Sequence, residues 1–473
     1  MKTQNQLTHN PVQKLTAAIL TASVLCALPL QAAAEETESE TAAQTSEFAV
    51  SEAVYPEMAS YPNEEEYIGK DGIFDSKGFD TVYDAWAADR QERFSIVQGN
   101  TEELKAFYAD TLSLMLTDRK QENPVYSPVN IYMALGMLAE ITDGATREQI
   151  LKAAHTESPE LLKERTKALW TACYVDDTAK KSILANSLWL DRDIAFSPDI
   201  VQTLTNDHYA SVFQGDFGSP ELDAALQKWV NDQTGGLLKE QAQGLKLSPE
   251  EILAIASTIW FKAKWDHEFS ESRTFEDVFH AESGDETADF MHQDGMNSYC
   301  YGEQFSSVDL HFADGGYMSF ILPDEGVSID SLLNDAEFQD YLNSDPYEWE
   351  NSAYPMIHLS VPKFDVTSEY DLVPVLQSLG ITDVFDQNAS NFSGLTENPE
   401  DAEGLSVSQA KHAARVKIDE TGVEAAAYTV MMTAGAALPQ DEIDFVLDRP
   451  FLFTIHSDTG ITLFAGVVNH AAP

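Results

Sequence analysis

The sequence predicts an α+β fold, because helical patterns fill its first half and strand patterns dominate its second. Apolar residues at three- and four-residue spacing mark an amphipathic helix at Leu104, Phe107, Tyr108, Leu112 and Met115. Apolar residues at every second position, the pattern of a half-buried strand, recur late in the chain at 357–361, 453–455 and 463–467. Helices that come first and strands that come later indicate the α+β class rather than alternating βα units.

Local signals place three further elements. Ser127 followed by Pro128 is a helix cap with proline in the first turn, and it predicts an apolar helix over residues 129–138. The long apolar run at 251–261, rich in Ile and Ala, indicates a central strand that is buried on both faces. Asp458-Thr459-Gly460 predicts a tight turn between the last two strands.

The first hundred residues are expected to lie outside the main domain. Residues 1–34 contain basic residues, an apolar stretch and Ala32-Ala33-Ala34, which is the pattern of a signal peptide and predicts a secreted, extracellular protein. The apolar stretch is too short for a membrane span. Residues 35–100 are predicted to be an acidic N-terminal extension, partly disordered. The part up to about residue 65 has the composition of a disordered spacer, whereas the aromatic residues of 67–100 are expected to pack on the domain.

Composition excludes several functions. A formal net charge of −51 opposes binding to nucleic acid, to heparin-like polyanions and to anionic membrane. Beyond the signal peptide only Cys173 and Cys300 remain, and either a disulfide or two buried thiols is open, with the thiols favoured. No closely spaced Cys/His cluster suits a metal, so no cofactor is expected. No Gly-x-Ser-x-Gly elbow or His-Glu-x-x-His helix is present, so an enzyme is not expected either.

The most informative segment begins after a strand pattern at 414–418. There Gly422 can turn the chain sharply, and a run of Ala, Thr and Val follows that is narrow enough to slide between two strands. An exposed segment that can become a central strand is normally a liability that proteins avoid. Its presence therefore suggests that insertion into a sheet is the function of this segment.

Eight motifs in one order resemble the serpin family of protease inhibitors. The hinge at 420–427 reads Glu420-Thr421-Gly422-Val423-Glu424-Ala425-Ala426-Ala427, and residues 445–455 resemble the family's C-terminal signature. The other matches lie at 123–128, 229–235, 261–265, 361–364, 379–381 and 391–394. The resemblance implies one serpin domain at 101–473, with three β-sheets, about nine helices and an exposed reactive-centre loop at about 420–440. It also implies a monomer.

The resemblance assigns residues to three functional regions. The implied hinge residues are Glu420, Gly422, Val423, Glu424, Ala425, Ala426, Ala427 and Thr429. A buried polar cluster beneath the central sheet, the shutter, is implied for Ser127, Asn130, Ser257 and His412. The breach, where insertion begins, is implied for Trp265, Lys363 and Glu420, with Lys363 and Glu420 as an ion pair. The family usually has Ser at position 130 and Asn at position 257, so these two residue types are exchanged here.

The resemblance implies that the protein is a suicide inhibitor. A serine protease cuts the loop, and the cut end then inserts into the sheet and traps the acyl-enzyme. The inserting side chains must alternate, and the row expected to face the core is uncharged: Val423, Ala425, Ala427, Thr429, Met431 and Thr433. Counting from the hinge places the reactive bond at Ala436–Ala437. The small residues around it predict an elastase-like or subtilisin-like target rather than a trypsin-like one.

Two other functions remain open. A non-inhibitory binding or storage protein would share the serpin fold, but its hinge would carry bulky or charged residues, which this hinge lacks. A surface interaction protein would act through the acidic extension, and its activity would survive deletion of residues 423–438.

Overall fold

The computed structural model of the protein describes residue 45 and residues 47–177, 180–249, 251, 253–344, 349–407, 409–423 and 442–471. Within these residues there are eleven α-helices: α1 (Ser76–Val97), α2 (Glu102–Leu116), α3 (Pro128–Ile141), α4 (Gly144–Ala153), α5 (Pro159–Cys173), α6 (Pro198–Asp207), α7 (Pro220–Gln233), α8 (Lys239–Ala242), α9 (Ile329–Leu333), α10 (Ala336–Asn343) and α11 (Val373–Ser378). The first ten strands are β1 (Ala49–Ser51), β2 (Val125–Tyr126), β3 (Val175–Asp176), β4 (Lys181–Asp191), β5 (Ala210–Gly215), β6 (Leu253–Lys264), β7 (Thr274–Ala281), β8 (Gly284–Met296), β9 (Tyr299–Tyr301) and β10 (Phe305–His311). The others are β11 (Tyr317–Pro323), β12 (Ser352–Ala353), β13 (Met356–Pro362), β14 (Phe364–Asp371), β15 (Lys411–Ile418), β16 (Gly422–Val423), β17 (Glu442–Val446), β18 (Phe451–His456) and β19 (Thr462–Val468).

The described strands form three sheets, as the serpin resemblance implied. The eight-stranded main sheet has the order β1-β5-β4-β6-β16-β15-β14, with β3 added beside β4. A seven-stranded sheet has the order β12-β9-β10-β11-β18-β19-β2, and a four-stranded sheet has the order β17-β13-β8-β7. The mixture of helices with largely antiparallel sheets confirms the predicted α+β class.

The helices predicted from periodicity form where the sequence indicated. The helix marked by Leu104 and Met115 is α2, and the helix after Ser127 is α3. Ser127 caps α3 by accepting a hydrogen bond from the backbone nitrogen of Asn130 at 3.4 Å. Nearly every residue of α3 is buried, because this helix packs against both β6 of the main sheet and β19 of the seven-stranded sheet. It therefore forms the centre of the core.

The central strand predicted at 251–261 is β6, but it is less buried than expected. Residues 259, 261 and 263 are buried with half-buried residues between them, and residues 254–257 are all half-buried. The expectation of burial on both faces is therefore wrong, and the first half of this strand departs from it most. The reason is a cleft in the main sheet, which that half of the strand lines.

The N-terminal extension is more ordered than its composition indicated. Strand β1 pairs with β5 at the edge of the main sheet, so residues predicted to be a disordered spacer are part of the fold. Helix α1 follows, and Arg90 of this helix forms an ion pair with Asp458 at 2.8 Å. Arg93 donates a hydrogen bond to the carbonyl oxygen of Tyr174 at 3.0 Å. The aromatic part of the extension thus packs on the body of the protein, and residues 35–44 lie outside the described residues.

Two further expectations concern the cysteines and the membrane. Cys173 and Cys300 are both buried thiols, which is the favoured of the two alternatives. Burial raises the pKa of both thiols to about 12, so they are protonated and unreactive at neutral pH. In the described part of the chain, the helices are all too short or too polar to cross a bilayer. The predicted signal peptide, residues 1–34, lies outside the described residues.

Candidate functional site

Two of the predicted hinge residues, Gly422 and Val423, lie between two strands of the main sheet. Strand β16 is antiparallel to both neighbours, with Val423 opposite Ile418 of β15 and opposite Ala263 of β6. A Cβ atom at Gly422 would lie 2.1 Å from the carbonyl oxygen of Ala263 and 2.8 Å from the Cα atom of Lys264. Only glycine fits here, because both of those atoms belong to the backbone of β6 and cannot rotate away.

Val423 is buried, with 2% of its surface exposed, although the sequence predicts an exposed loop from about residue 420. Two features draw this part of the loop into the fold. The carboxylate of Asp419 accepts hydrogen bonds from the backbone nitrogens of Thr421 at 2.9 Å and Gly422 at 3.3 Å, which fixes the turn. Val423 is apolar and β-branched, so burial in a sheet suits it. Gly422 and Val423 are therefore already part of the main sheet.

The structure brings the three breach residues together. Lys363, between β13 and β14, contacts the Glu420 carboxylate at 2.9 Å. Partial burial is the largest single influence and opposes ionisation of Glu420. The hydrogen bond from Lys363, the charge of Lys363 and further hydrogen bonds together outweigh it and lower the pKa of this carboxyl. Trp265 donates from its indole nitrogen to the carbonyl oxygen of Asp419 at 2.9 Å, and its backbone nitrogen donates to Thr421 at 3.0 Å. The base of the loop is thus fixed on both sides of the ion pair.

The shutter residues form two groups rather than one cluster. His412 of β15 accepts a hydrogen bond at its Nε2 atom from the backbone nitrogen of Ser127 at 3.0 Å, which links the main sheet to the start of α3. Ser257 of β6 instead donates to the side-chain oxygen of Asn186 on β4 at 2.8 Å. The expectation that Ser257 and His412 share one cluster is therefore not met. They lie on opposite sides of the cleft.

Asn186 was missed by the sequence analysis, although a signal for it exists. It is a polar residue in the middle of the buried strand β4, and such a residue needs a partner. Asn186 also donates to the carbonyl oxygen of His208 at 3.0 Å, so the Ser257–Asn186 pair is anchored. Asn130 is buried beside Ser127, and within the described residues its side-chain oxygen has no hydrogen-bond partner. Burial lowers the pKa of His412 to about 4, so this imidazole is neutral at pH 7.

Below β16 the main sheet is open. In the part of the chain that the structure describes, β6 and β15 pair with β16 and not with each other. A cavity of about 390 Å³ lies between the first half of β6 and the start of β15. Its walls include Ser257 and His412 on the two strands, and apolar residues of α7 and the segment after it: Leu226, Val230, Leu238, Leu245 and Leu247. The cleft continues the line of β16, so a longer strand could extend into it.

Several predicted site residues lie outside the described residues. They are Glu424, Ala425, Ala426, Ala427, Thr429, Ala436 and Ala437. Their roles in the hinge and the reactive bond stay predictions. Among the described residues, no three His, Cys, Asp or Glu side chains converge in a way that could hold a metal ion.

Comparison with known proteins agrees with the three-sheet architecture. The family model for serpins, which are serine protease inhibitors, matches residues 102–471. The chain belongs to the serpin family. Serpin-ZX of Arabidopsis thaliana is 30% identical over 373 residues, which cover 75% of this chain and 94% of that protein. Serpins are in general inhibitors of proteases and not catalysts.

Solved structures of serpins share this fold. Tengpin, a thermophilic serpin solved in its native state, superimposes with a TM-score of 0.69 and 25% identity, covering 78% of this chain and 93% of tengpin. A thyroxine-binding globulin in complex with thyroxine superimposes with a TM-score of 0.66 and 23% identity, covering 78% of this chain and 99% of that one. The second likeness shows the fold alone. Because that serpin is described as binding a small molecule, the fold by itself does not establish inhibition.

Proposed function

We propose that this serpin is a secreted, monomeric suicide inhibitor of elastase-like or subtilisin-like serine proteases, which traps the acyl-enzyme by inserting its cut loop into the main sheet. One observation carries the proposal. The hinge already occupies the top of a gap between β6 and β15, and the gap is open below it. The strand that would fill the gap is the continuation of the hinge itself.

The register of β16 supports this use of the gap. Each step forward along the loop would be a step back along both neighbours, because β16 is antiparallel to β6 and β15. Continued in this register, Thr429 would lie opposite Ser257 on one side and His412 on the other. The inserted strand would then lie between the two groups of shutter residues, with Ser257 on one side and His412 on the other.

The same register sorts the loop side chains correctly. Ala425 and Ala427 would lie opposite the buried residues Val416 and Ala414 of β15, so the uncharged row of the loop would face the core. Glu424 would lie opposite Lys262 of β6 and Lys417 of β15, on the outer face. Cross-strand pairs of opposite charge each stabilise a sheet by about 0.2–1 kcal/mol.

The energetics favour insertion over release. About a dozen new ladder hydrogen bonds at ~0.5–1.5 kcal/mol each, together with burial of the apolar row, would contribute roughly 10 kcal/mol or more. An attached protease would be dragged across the body of the serpin, and distortion of its active site slows hydrolysis of the ester. Loss of a single oxyanion-hole donor slows such a step about 10²–10³-fold. The outcome depends on whether insertion or hydrolysis is faster.

The deciding experiment is incubation with a purified elastase-type protease, and separately with subtilisin, followed by a denaturing gel. We expect a covalent complex that survives denaturation, and mass spectrometry should detect a released C-terminal peptide beginning at Ala437. The matched control is the same incubation with a trypsin-type protease, which should give no complex, because residues 421–440 contain no Arg or Lys. Loop cleavage without any covalent complex would refute trapping and favour a non-inhibitory binding serpin. A covalent complex with a different peptide would correct the register only.

Secretion rests on residues 1–34 and is tested separately. We expect the N-terminus of the secreted protein to be Glu35 and the culture supernatant to contain most of it. Recovery of an intact Met1 terminus inside the producing cell would overturn this part of the proposal.

A further inference from the structure

The proposed reactive bond is much nearer, along the chain, to the C-terminal end of the reactive loop than to its N-terminal end. The loop leaves the main sheet after Val423 and returns at Glu442, the first residue of β17 in the four-stranded sheet. Ala437 precedes Glu442 by five residues, whereas Ala436 follows Val423 by thirteen. Five fully extended residues span at most about 18 Å. The proposed bond is therefore tied closely to the four-stranded sheet and loosely to the main sheet.

This short connection determines what lies beneath a bound protease. A protease domain of roughly 220 residues is about 35–45 Å wide, which is about twice the longest possible distance from the bond to Glu442. An enzyme attached at the proposed bond must therefore overhang the end of the four-stranded sheet at which β17 begins. Surface side chains at that end would lie within its footprint.

The end of the sheet carries exposed apolar side chains. Across the sheet, Met356 of β13 lies opposite Glu442 of β17 on one side and Met296 of β8 on the other. Met296 has 37% of its surface exposed, and Tyr354, two residues before Met356, has 63% exposed. The backbone nitrogen of Asn297 donates to the carbonyl oxygen of Pro355 at 3.4 Å, which holds the Tyr354 segment against the end of β8.

The next row of the same face is charged. His358 of β13 contacts the Asp294 carboxylate at 2.8 Å, and Arg273 contacts the other oxygen of Asp294 at 2.9 Å. The other ring nitrogen of His358 lies 3.8 Å from the carboxylate of Glu442, and Asp444 lies opposite His358 on β17. The apolar end of the face is therefore bordered by three carboxylates, with one arginine and a histidine among them. A partner that covers it would match best with an apolar patch that has a basic rim.

We infer that Met296, Tyr354 and Met356 form an accessory docking surface for the target protease, an enzyme whose surface beside the active-site cleft is apolar and rimmed by basic residues. This inference rests on the proposed function, because the loop is what brings the protease to this face. Tyr and Met are enriched at protein interfaces, and the flexible Met side chain adapts to different partner shapes. The loop would select the cleft of the protease, and this surface would select among proteases with similar clefts.

The test compares association rate constants measured with an elastase-type protease and with subtilisin. The docking variant is Tyr354→Ala with Met296→Ala. Its matched control is Ile73→Ala with Tyr83→Ala in the N-terminal extension, where the side chains are 68% and 39% exposed. We expect the docking variant to associate about ten-fold more slowly with at least one of the two enzymes. Its melting temperature and the fraction of encounters that end in a covalent complex should not change, and the control should match the wild type.

The outcomes separate this inference from the proposed function. Covalent complexes formed at wild-type rates by the docking variant would overturn the docking surface and leave trapping intact. An equal slowing in the control variant would also overturn it, because the effect would then not belong to this face. If the wild-type protein gives neither complex nor loop cleavage with either enzyme, both the proposed function and the docking surface fail.

Discussion

Replacement of Gly422 by alanine tests whether the hinge must enter the main sheet. The added Cβ atom would lie 2.1 Å from the carbonyl oxygen of Ala263, far inside any permitted contact. Because that atom belongs to the backbone of β6, the variant must either expel residues 422–423 or push β6 away from β15. Expulsion costs less, since it disturbs only two residues.

The cost of expulsion follows from what those two residues contribute. Val423 is 2% exposed, so its burial is worth about 2 kcal/mol. The few ladder hydrogen bonds of β16 are worth about 1 kcal/mol each. We therefore expect Gly422→Ala to destabilise the uncut protein by about 3–5 kcal/mol, which for a domain of this size corresponds to a melting temperature lower by about 5 °C. Insertion after cleavage would start from outside the sheet, so hydrolysis should win and the variant should become a substrate.

Calorimetry and a denaturing gel after incubation with an elastase-type protease measure the two effects. The matched control is Gly295→Ala on β8, where, among the residues that the structure describes, an added Cβ would meet only the side-chain nitrogen of Asn297 within 4 Å, at 3.8 Å. That variant should lie within about 0.5 kcal/mol of the wild type and should still trap the protease. If Gly422→Ala melts within 1 °C of the wild type and traps equally well, the packing of β16 between β6 and β15 is not needed.

Three further predictions concern insertion and pH. Cleavage within residues 424–441 should raise the melting temperature, because the freed strand would fill the gap between β6 and β15; a calorimetric trace that is the same before and after cleavage would contradict this. Lys417→Glu should increase the share of cleaved, untrapped serpin on a gel, because Glu424 would insert opposite a like charge. The control Lys411→Glu, at the far end of β15, should have a smaller effect. Equal trapping by the wild type and Lys417→Glu would argue against the proposed register. Burial holds the pKa of His412 at about 4, below its value of about 6.5 in an unfolded chain. Between these two pH values the unfolded state binds a proton at this histidine and the folded state does not. The free energy of unfolding should therefore fall by about 3 kcal/mol as the pH drops from about 6.5 to about 4. His412→Gln should remove that part of the pH dependence in thermal melts, and a slope equal to that of the wild type would show that His412 does not titrate in this way.

Elements with a local signal could be predicted from the sequence. The spacing of Leu104 to Met115 and the cap at Ser127 identified α2 and α3, because such patterns depend only on residues within a few turns of each other. The ion pair between Lys363 and Glu420 was also expected, but from the family resemblance. From residue type and spacing alone, a contact between two side chains 57 residues apart could not have been predicted.

Features that depend on distant partners could not be predicted in this way. Strand β1 has no alternating pattern of its own, and it is ordered because β5, about 160 residues later, offers an unpaired edge. The burial of Val423 depends on a gap between two other strands. Ser257 was expected beside His412 but bonds to Asn186. The family pattern gives the residue type at position 257, but it does not show on which side of the open sheet that side chain lies. A charge at Val423 would therefore destabilise the uncut protein as well, contrary to the expectation of a solvated loop base.

The order of strands in the seven-stranded sheet has a consequence for synthesis. The first strand of this sheet to be synthesised, β2, pairs with β19, which is the last. The ladder between Val125 and Gly466 therefore cannot form until nearly the whole chain has been made. The ion pair between Arg90 and Asp458 likewise cannot form until Asp458 has been synthesised. A ribosome adds about 5–20 residues per second, so the early helices spend tens of seconds without the sheet that covers them. A chain that ends before β18 would lack two inner strands of this sheet, β18 and β19, and would leave β2 without a partner in it. We expect such truncated products to be cleared by proteolysis rather than to accumulate as a smaller folded domain.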